Sequence, residues 1–123
     1  MKICILTHNL DTANGGGRLS FELMQNIRRL NPSIELTLLT TIDTGKNNEL
    51  PILYPNKFKL LISIFKIRSI IKQCDLVQVF DVAPYATIAW LASIGLKKKI
   101  ILTTIGSGSI QPLHNPLVGH FFK

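Results

Sequence analysis

Acidic side chains are scarce in this 123-residue chain: seven Asp and Glu stand against fourteen Lys and Arg, a formal net charge of +7. Charge of either sign is thin as well, at 17% of residues, while 46% are hydrophobic. That balance excludes intrinsic disorder, which needs low hydrophobicity together with high charge. The length fits one domain with enough apolar surface to bury a core. Only two cysteines occur, Cys4 and Cys74. They form no CxxC or Cys/His spacing, so neither a disulfide scaffold nor a zinc site is signalled, and a reducing cytoplasm is the expected location.

Long apolar runs are missing too. The greasiest stretch, Phe58 to Ile71, is broken by Lys59, Lys66 and Arg68 and falls short of the roughly 18 continuous apolar residues of a membrane span. Ile3 to Leu6 is too short for the apolar core of a signal peptide, so no export is expected. No GxxxxGK[ST] phosphate loop occurs. The dinucleotide fingerprint GxGxxG fits badly, because Ser20 stands where its third glycine belongs and no acidic residue ends the second strand at Thr40-Thr41.

What is present is an alternation of elements. Ile3 to Thr7 is a short apolar run of the kind buried on both faces of a sheet. Arg18 to Leu30 places Leu19, Leu23, Ile27 and Leu30 at helical spacing, and Asn31-Pro32 stops the pattern. Ile34 to Thr40 reads as a second strand, and Leu50 to Tyr54, between Pro51 and Pro55, as at most a short edge strand. Lys57 to Lys72 repeats Leu60, Ile64, Ile67 and Ile71 along one helix face. Leu76 to Phe80 is a third strand, Pro84 opens a helix that continues over Ala86 to Leu96, and Lys99 to Ile105 is the fourth strand. Leu113 to Lys123 holds little more than the start of another element. This alternation predicts an α/β fold, a Rossmann-like three-layer sandwich with a mostly parallel sheet. Residues 1–123 are expected to form this single domain, truncated at its C-terminal end.

In such sheets ligands bind outside the carboxyl ends of the strands, which here are His8 to Gly17, Asp81 to Pro84 and Gly106 to Ser109. Asn14-Gly15-Gly16-Gly17 precedes a helix, so its backbone can approach a ligand closely and its N–H groups favour a phosphate, with Arg18 adding a charge. A plain turn explains the glycines less well, since three in succession exceed what a turn needs. His8, at the end of the first strand, is read first as a hydrogen-bonded structural residue and second as a cleft residue. Asp81 either binds hydroxyls or caps the helix that follows. His114 and His120 have no carboxylate at ligand spacing and are read as surface or interface residues.

Three segments resemble the N-terminal domain of family 4 glycosyltransferases of the GT-B fold. Gly15-Gly16-Gly17-Arg18, followed by Leu-Ser-Phe-Glu-Leu, is similar to the family's GGG-x-R stretch. Asp75-Leu76-Val77-Gln78-Val79-Phe80-Asp81 resembles its D-[IV]-V-H-x-H-[DG] strand, and Lys99 to Ser107 resembles its strand ending in T-x-H-G-[ST]. Gln78, Phe80 and Ile105 depart from that pattern at positions where histidine is common, and an isoleucine cannot donate a hydrogen bond to a sugar.

The resemblance implies the acceptor-side half of a retaining enzyme that moves a sugar from a nucleotide-sugar donor to a cell-envelope, polysaccharide or lipid-linked acceptor. Gly15, Gly16, Gly17 and Arg18 would then lie against the donor diphosphate, and His8, Asp81, Gly106 and Ser107 would line the acceptor side. No general acid or base is named, and neither a metal nor a cofactor is expected, the nucleotide-sugar being a substrate. The donor-binding domain with its E-x7-E region would come from a missing C-terminal domain or a partner chain, so this chain alone is expected to be inactive. The other reading is a non-catalytic binding or membrane-anchoring module of a two-chain transferase.

The helix over Lys57 to Lys72 holds more apolar surface than one core stripe uses. Phe58, Leu61, Ile62 and Phe65 lie off the stripe, interleaved with Lys57, Lys59, Lys66, Arg68 and Lys72. Two readings follow: a peripheral contact with an anionic membrane on its cytoplasmic side, or a helix packed on both sides. Nucleic acid is disfavoured as a partner, because the basic residues join no aromatic stacking platform and no known nucleic-acid motif.

Overall fold

A computed structural model describes residues 1–45 and 47–105, apart from the side chains of Val82 and Ala83. Gly106, Ser107, His114 and His120, and the element expected from Leu113 onward, lie outside the described residues. The chain runs β1 (Lys2–Leu6), α1 (Gly15–Leu30), β2 (Glu35–Leu39), α2 (Lys57–Gln73), β3 (Leu76–Phe80), a single π-helical turn (Val82–Ala86), α3 (Thr87–Ser93) and β4 (Lys99–Thr103). The four strands form one all-parallel sheet in the order β2-β1-β3-β4. The α/β, Rossmann-like three-layer arrangement follows.

Chain direction explains which helix covers which face. From β1 the chain moves outward to β2, then returns past β1 to β3 and β4, so right-handed crossovers place the first helix on one face and the later two on the other. The core accordingly falls into two clusters. Ile3, Ile5, Leu38 and Phe80 pack with Met24 of α1, while Cys4, Leu6, Leu39, Val77 and Val79 pack with Leu60, Ile67 and Ile71 of α2 and Ile88, Ala89 and Ala92 of α3. Successive residues of β1 point to opposite faces, which is why a continuous apolar run was required there.

The register keeps the strand ends level. Leu6 pairs with Leu39 on one side and Val79 on the other, and Val79 pairs with Leu102. Thr7-His8, Thr40-Thr41, Phe80-Asp81 and Thr103-Thr104 therefore emerge along a single edge.

Four sequence expectations need correction. Helix α1 begins at Gly15, not Arg18, because the Asn14 side chain caps it by accepting from Gly17 N at 2.7 Å. Its buried face is Gly17, Ser20 and Met24, while Leu19 and Leu30 are exposed. Close packing of the small residues Gly17 and Ser20 against the β1 end sets the rotation, and a count of large apolar residues does not register that. Leu50 to Tyr54 forms no strand, only a parallel bridge from Leu50 to Leu39, although Ile52 and Leu53 are buried. The third helix opens with a π turn and ends at Ser93, and Gly95 follows at φ 79°. The α2 stripe is as expected: Leu60, Ile67 and Ile71 are buried and Ile64 packs against them.

Candidate functional site at the carboxyl edge of the sheet

The chain leaves β1 toward β2 in one direction and β3 toward β4 in the other, so the crevice between the carboxyl ends of β1 and β3 is the topological switch point of the sheet. Open α/β sheets bind ligands there. Its two banks are the segments after Leu6 and after Phe80.

The first bank is built on asparagine and aspartate turns. Asn9 Oδ1 accepts from the Asp11 backbone N–H at 3.0 Å and from Asn14 Nδ2 at 3.1 Å, and Asp11 Oδ1 accepts from Ala13 N at 2.9 Å. Behind them, Thr7 Oγ1 and Ser20 Oγ share a buried hydrogen bond of 2.9 Å, and Ser20 also donates to Gly16 O. This ties the first turn of α1 to the end of β1. The three glycines of that turn differ sharply. A Cβ on Gly17 would run into Asp11 O and lie 2.5 Å from Asn9 Oδ1, so only glycine lets the loop fold over the helix. A Cβ on Gly15 would meet nothing within 4 Å, and one on Gly16 only Asn14 Oδ1 at 3.9 Å. Packing does not demand glycine at those two positions, whose amides belong to the helix turn that has no intrahelical acceptor. Arg18 is exposed and pairs with Glu22 at 2.9 Å.

The second bank begins with strain. Asp81 lies at φ 78°, ψ 141°, a region that favours glycine, and its backbone N–H donates to Thr103 O at 3.1 Å. Such a backbone costs on the order of 1–3 kcal/mol and persists where surrounding structure holds it. The Asp81 side chain does not cap the following turn, so the capping explanation for this residue fails. The π turn that follows places Tyr85 back over the switch point.

Tyr85 closes the crevice. Its hydroxyl lies 3.0 Å from His8 Nδ1 and 2.9 Å from Thr41 Oγ1, and its ring stacks on the His8 ring at 6.5 Å between centroids. One phenol thus joins the ends of β1, β2 and β3. With the phenol donating to Nδ1, a neutral imidazole carries its proton on Nε2, where it serves as a donor to a hydroxyl or phosphate oxygen. Burial pushes the Tyr85 hydroxyl above its ordinary value, against the Thr41 hydrogen bond, with the Asp81 charge adding to the rise. The phenol therefore stays neutral at physiological pH and acts as a hydrogen-bond relay.

Two further polar groups complete the edge. Gln78 of β3 donates to Thr103 Oγ1 of β4 at 2.8 Å, a structural cross-strand contact. Thr40 Oγ1 is buried and has no hydrogen-bond partner among the described residues, a polar atom left to be satisfied. Among the described residues no group of three or more His, Cys, Asp and Glu is placed to hold a metal ion.

The edge therefore carries His8, the turn Gly15, Gly16 and Gly17, and Asp81, while the Arg18 side chain turns to Glu22 one helical turn along α1. Sequence reasoning missed Thr41 and Tyr85, whose contacts span 44 and 77 residues. The one available signal was a tyrosine just beyond the third strand. No protein-family model, curated protein or solved structure matches the chain.

Proposed function

We propose that this chain is the acceptor-side domain of a retaining GT-B glycosyltransferase that moves a sugar from a nucleotide-sugar to a cell-envelope, polysaccharide or lipid-linked acceptor. The observation that supports it most is convergence. The glycine-rich turn, the Asp75–Asp81 strand and the Lys99–Thr103 strand, which carry the family resemblance at separate places in the sequence, all open onto one edge of the sheet.

In this reading the open backbone at Gly15 and Gly16 faces the donor diphosphate and Arg18 supplies positive charge beside it. His8, held by Tyr85, and Asp81 hydrogen-bond the acceptor hydroxyls, and Gly106 and Ser107, which lie outside the described residues, are assigned to the acceptor side by the family resemblance alone. The bond between the anomeric carbon and the diphosphate oxygen breaks, its electron pair leaving with the nucleoside diphosphate, as the bond to the acceptor oxygen forms and the acceptor hydroxyl gives its proton to the departing diphosphate oxygen. The donor nucleotide is held by a second domain or partner chain, and the reaction takes place on the cytoplasmic side.

The test is hydrolysis and transfer with a panel of UDP- and GDP-sugars, first with this chain alone, then together with any polypeptide encoded beside it. Turnover only in the combined preparation, reduced by His8→Ala and by Gly16→Val, is the expected result. No turnover of any donor in either preparation overturns the reading and leaves a non-catalytic binding module.

A further inference from the structure

Helix α2 is apolar on two opposite sides. Its buried side is Leu60, Ser63, Ile67 and Ile71. At about 100° per residue, Phe58, Leu61, Ile62 and Phe65 fall roughly opposite, and they are 79%, 57%, 70% and 79% exposed. The alternative of a helix packed on both sides is not realised among the described residues. The stripe occupies the N-terminal half of the helix, with Lys57 on one flank, Lys59 and Lys66 on the other and Lys72 beyond its end. All four lysines are exposed. Helix α2 contains no acidic residue, and the ion pairs among the described residues, Lys2–Glu35 and Arg18–Glu22, lie elsewhere.

Two features make this surface rigid and wider than one helix. Arg68 donates from Nη1 to Ala92 O at 3.1 Å and Ile94 O at 2.6 Å, pinning α2 to the C-terminal end of α3. Helix α3 packs beside α2 on the same face of the sheet and adds Trp90, with Ile94 just beyond its C-terminal end, each about half exposed. Tryptophan with its polar N–H suits a boundary between apolar and wet phases.

We infer that the outer side of α2, with Trp90 of α3 and Ile94 just beyond its C-terminal end, is a docking surface for an anionic lipid bilayer. Charge complementarity decides the occupant. A second copy seated by two-fold symmetry would bring the same patch against itself and oppose lysine to lysine, whereas an anionic leaflet neutralises the lysines while the aromatic and aliphatic side chains enter the acyl boundary. The contact lies on a helix-covered face of the sheet, distinct from the carboxyl edge, and does not depend on the proposed transferase reading.

The chain's single tryptophan, Trp90, gives an intrinsic reporter. The full chain is mixed with phosphatidylcholine vesicles with and without phosphatidylglycerol, and co-sedimentation is read together with tryptophan emission. Expected are sedimentation and a blue shift with the anionic vesicles at low salt, both fading in molar salt. The double variants Phe58→Ser/Phe65→Ser and Lys59→Glu/Lys66→Glu should each lower partitioning at least roughly tenfold. Circular dichroism should remain unchanged, because all four side chains are exposed. Absence of binding to anionic vesicles at low salt overturns the inference, as does binding that both variants leave intact. A dimer in the ultracentrifuge that Phe58→Ser/Phe65→Ser dissolves, without vesicle binding, overturns it in favour of a second copy.

Discussion

Nδ1 of His8 and the hydroxyl of Tyr85 lie 3.0 Å apart, so the segment just after the first strand is held by a residue that enters the fold 77 positions later. The same hydroxyl meets Thr41. Tyr85→Phe removes both hydrogen bonds while keeping the ring, and should cost about 1–2 kcal/mol in denaturant unfolding. In a double-mutant cycle Tyr85→Phe and Thr41→Val should be non-additive. An additive cycle would show that the phenol does not couple the two strands. Because burial raises the phenol's folded-state pKa above its unfolded value of about 10, its contribution is complete below that pH. Stability should fall as pH rises through the folded-state value, and an ultraviolet titration should show a phenol ionising above its ordinary value that is absent from Tyr85→Phe.

The first turn of α1 separates a structural glycine from two that packing leaves unconstrained. Gly17→Ala drives a methyl group into Asp11 O and Asn9 Oδ1 and should destabilise the domain by about 1–3 kcal/mol. Gly15→Ala meets open space and should leave stability unchanged or raise it by up to about 1 kcal/mol through helix propensity. Thermal melts of the two variants give the comparison. Equal losses would mean that the loop does not cross the helix where it is placed.

Cys4 and Cys74 are 70 residues apart in sequence yet share a hydrogen bond in the core. The Cys4 S–H donates to the Cys74 sulfur, and this bond, helped by the charge of Lys98, brings Cys74 down to about 7 from 9.0 against the effect of burial. Cys4 itself is pushed upward, first by that bond and then by burial. The Cys74 contribution to stability is therefore present above the unfolded-state pKa and is lost as pH falls through about 7. Thiolate absorbance should rise near pH 7 in the folded protein, move toward 9 in Cys4→Ala and vanish from that range in Cys74→Ala. A rise that Cys4→Ala leaves in place would refute the pairing.

A continuous apolar run made β1 legible, as expected of a strand covered on both faces, and β3 departs from that pattern only at Gln78, whose side chain is satisfied by Thr103. The inner stripe of α2 was equally plain, since Leu60, Ile64, Ile67 and Ile71 recur at helical spacing over about three turns. The rotation of α1 was not. Its deepest contacts come from Gly17 and Ser20, and a pattern that weighs large apolar residues points to Leu19 and Leu30 instead. The glycine turn and Asp81 were visible as residue types, while the Tyr85 relay and the cysteine pair are contacts between distant segments that no local spacing encodes. The strained backbone at Asp81 was likewise hidden, because it depends on the cross-strand contact with Thr103 and on the π turn that follows.

The two borders of the sheet differ in kind. Leu50 donates to Leu38 O and accepts from Thr40 N, which seals the carboxyl half of β2, and the buried pair Ile52 and Leu53 holds that short segment down. On the opposite side β4 pairs with β3 alone among the described residues, and Lys97-Lys98-Lys99 stands at its entrance. The two borders are therefore guarded differently: beside β2 a short buried segment covers the ladder, whereas beside β4 the lysines at the strand entrance deter lateral stacking of like copies.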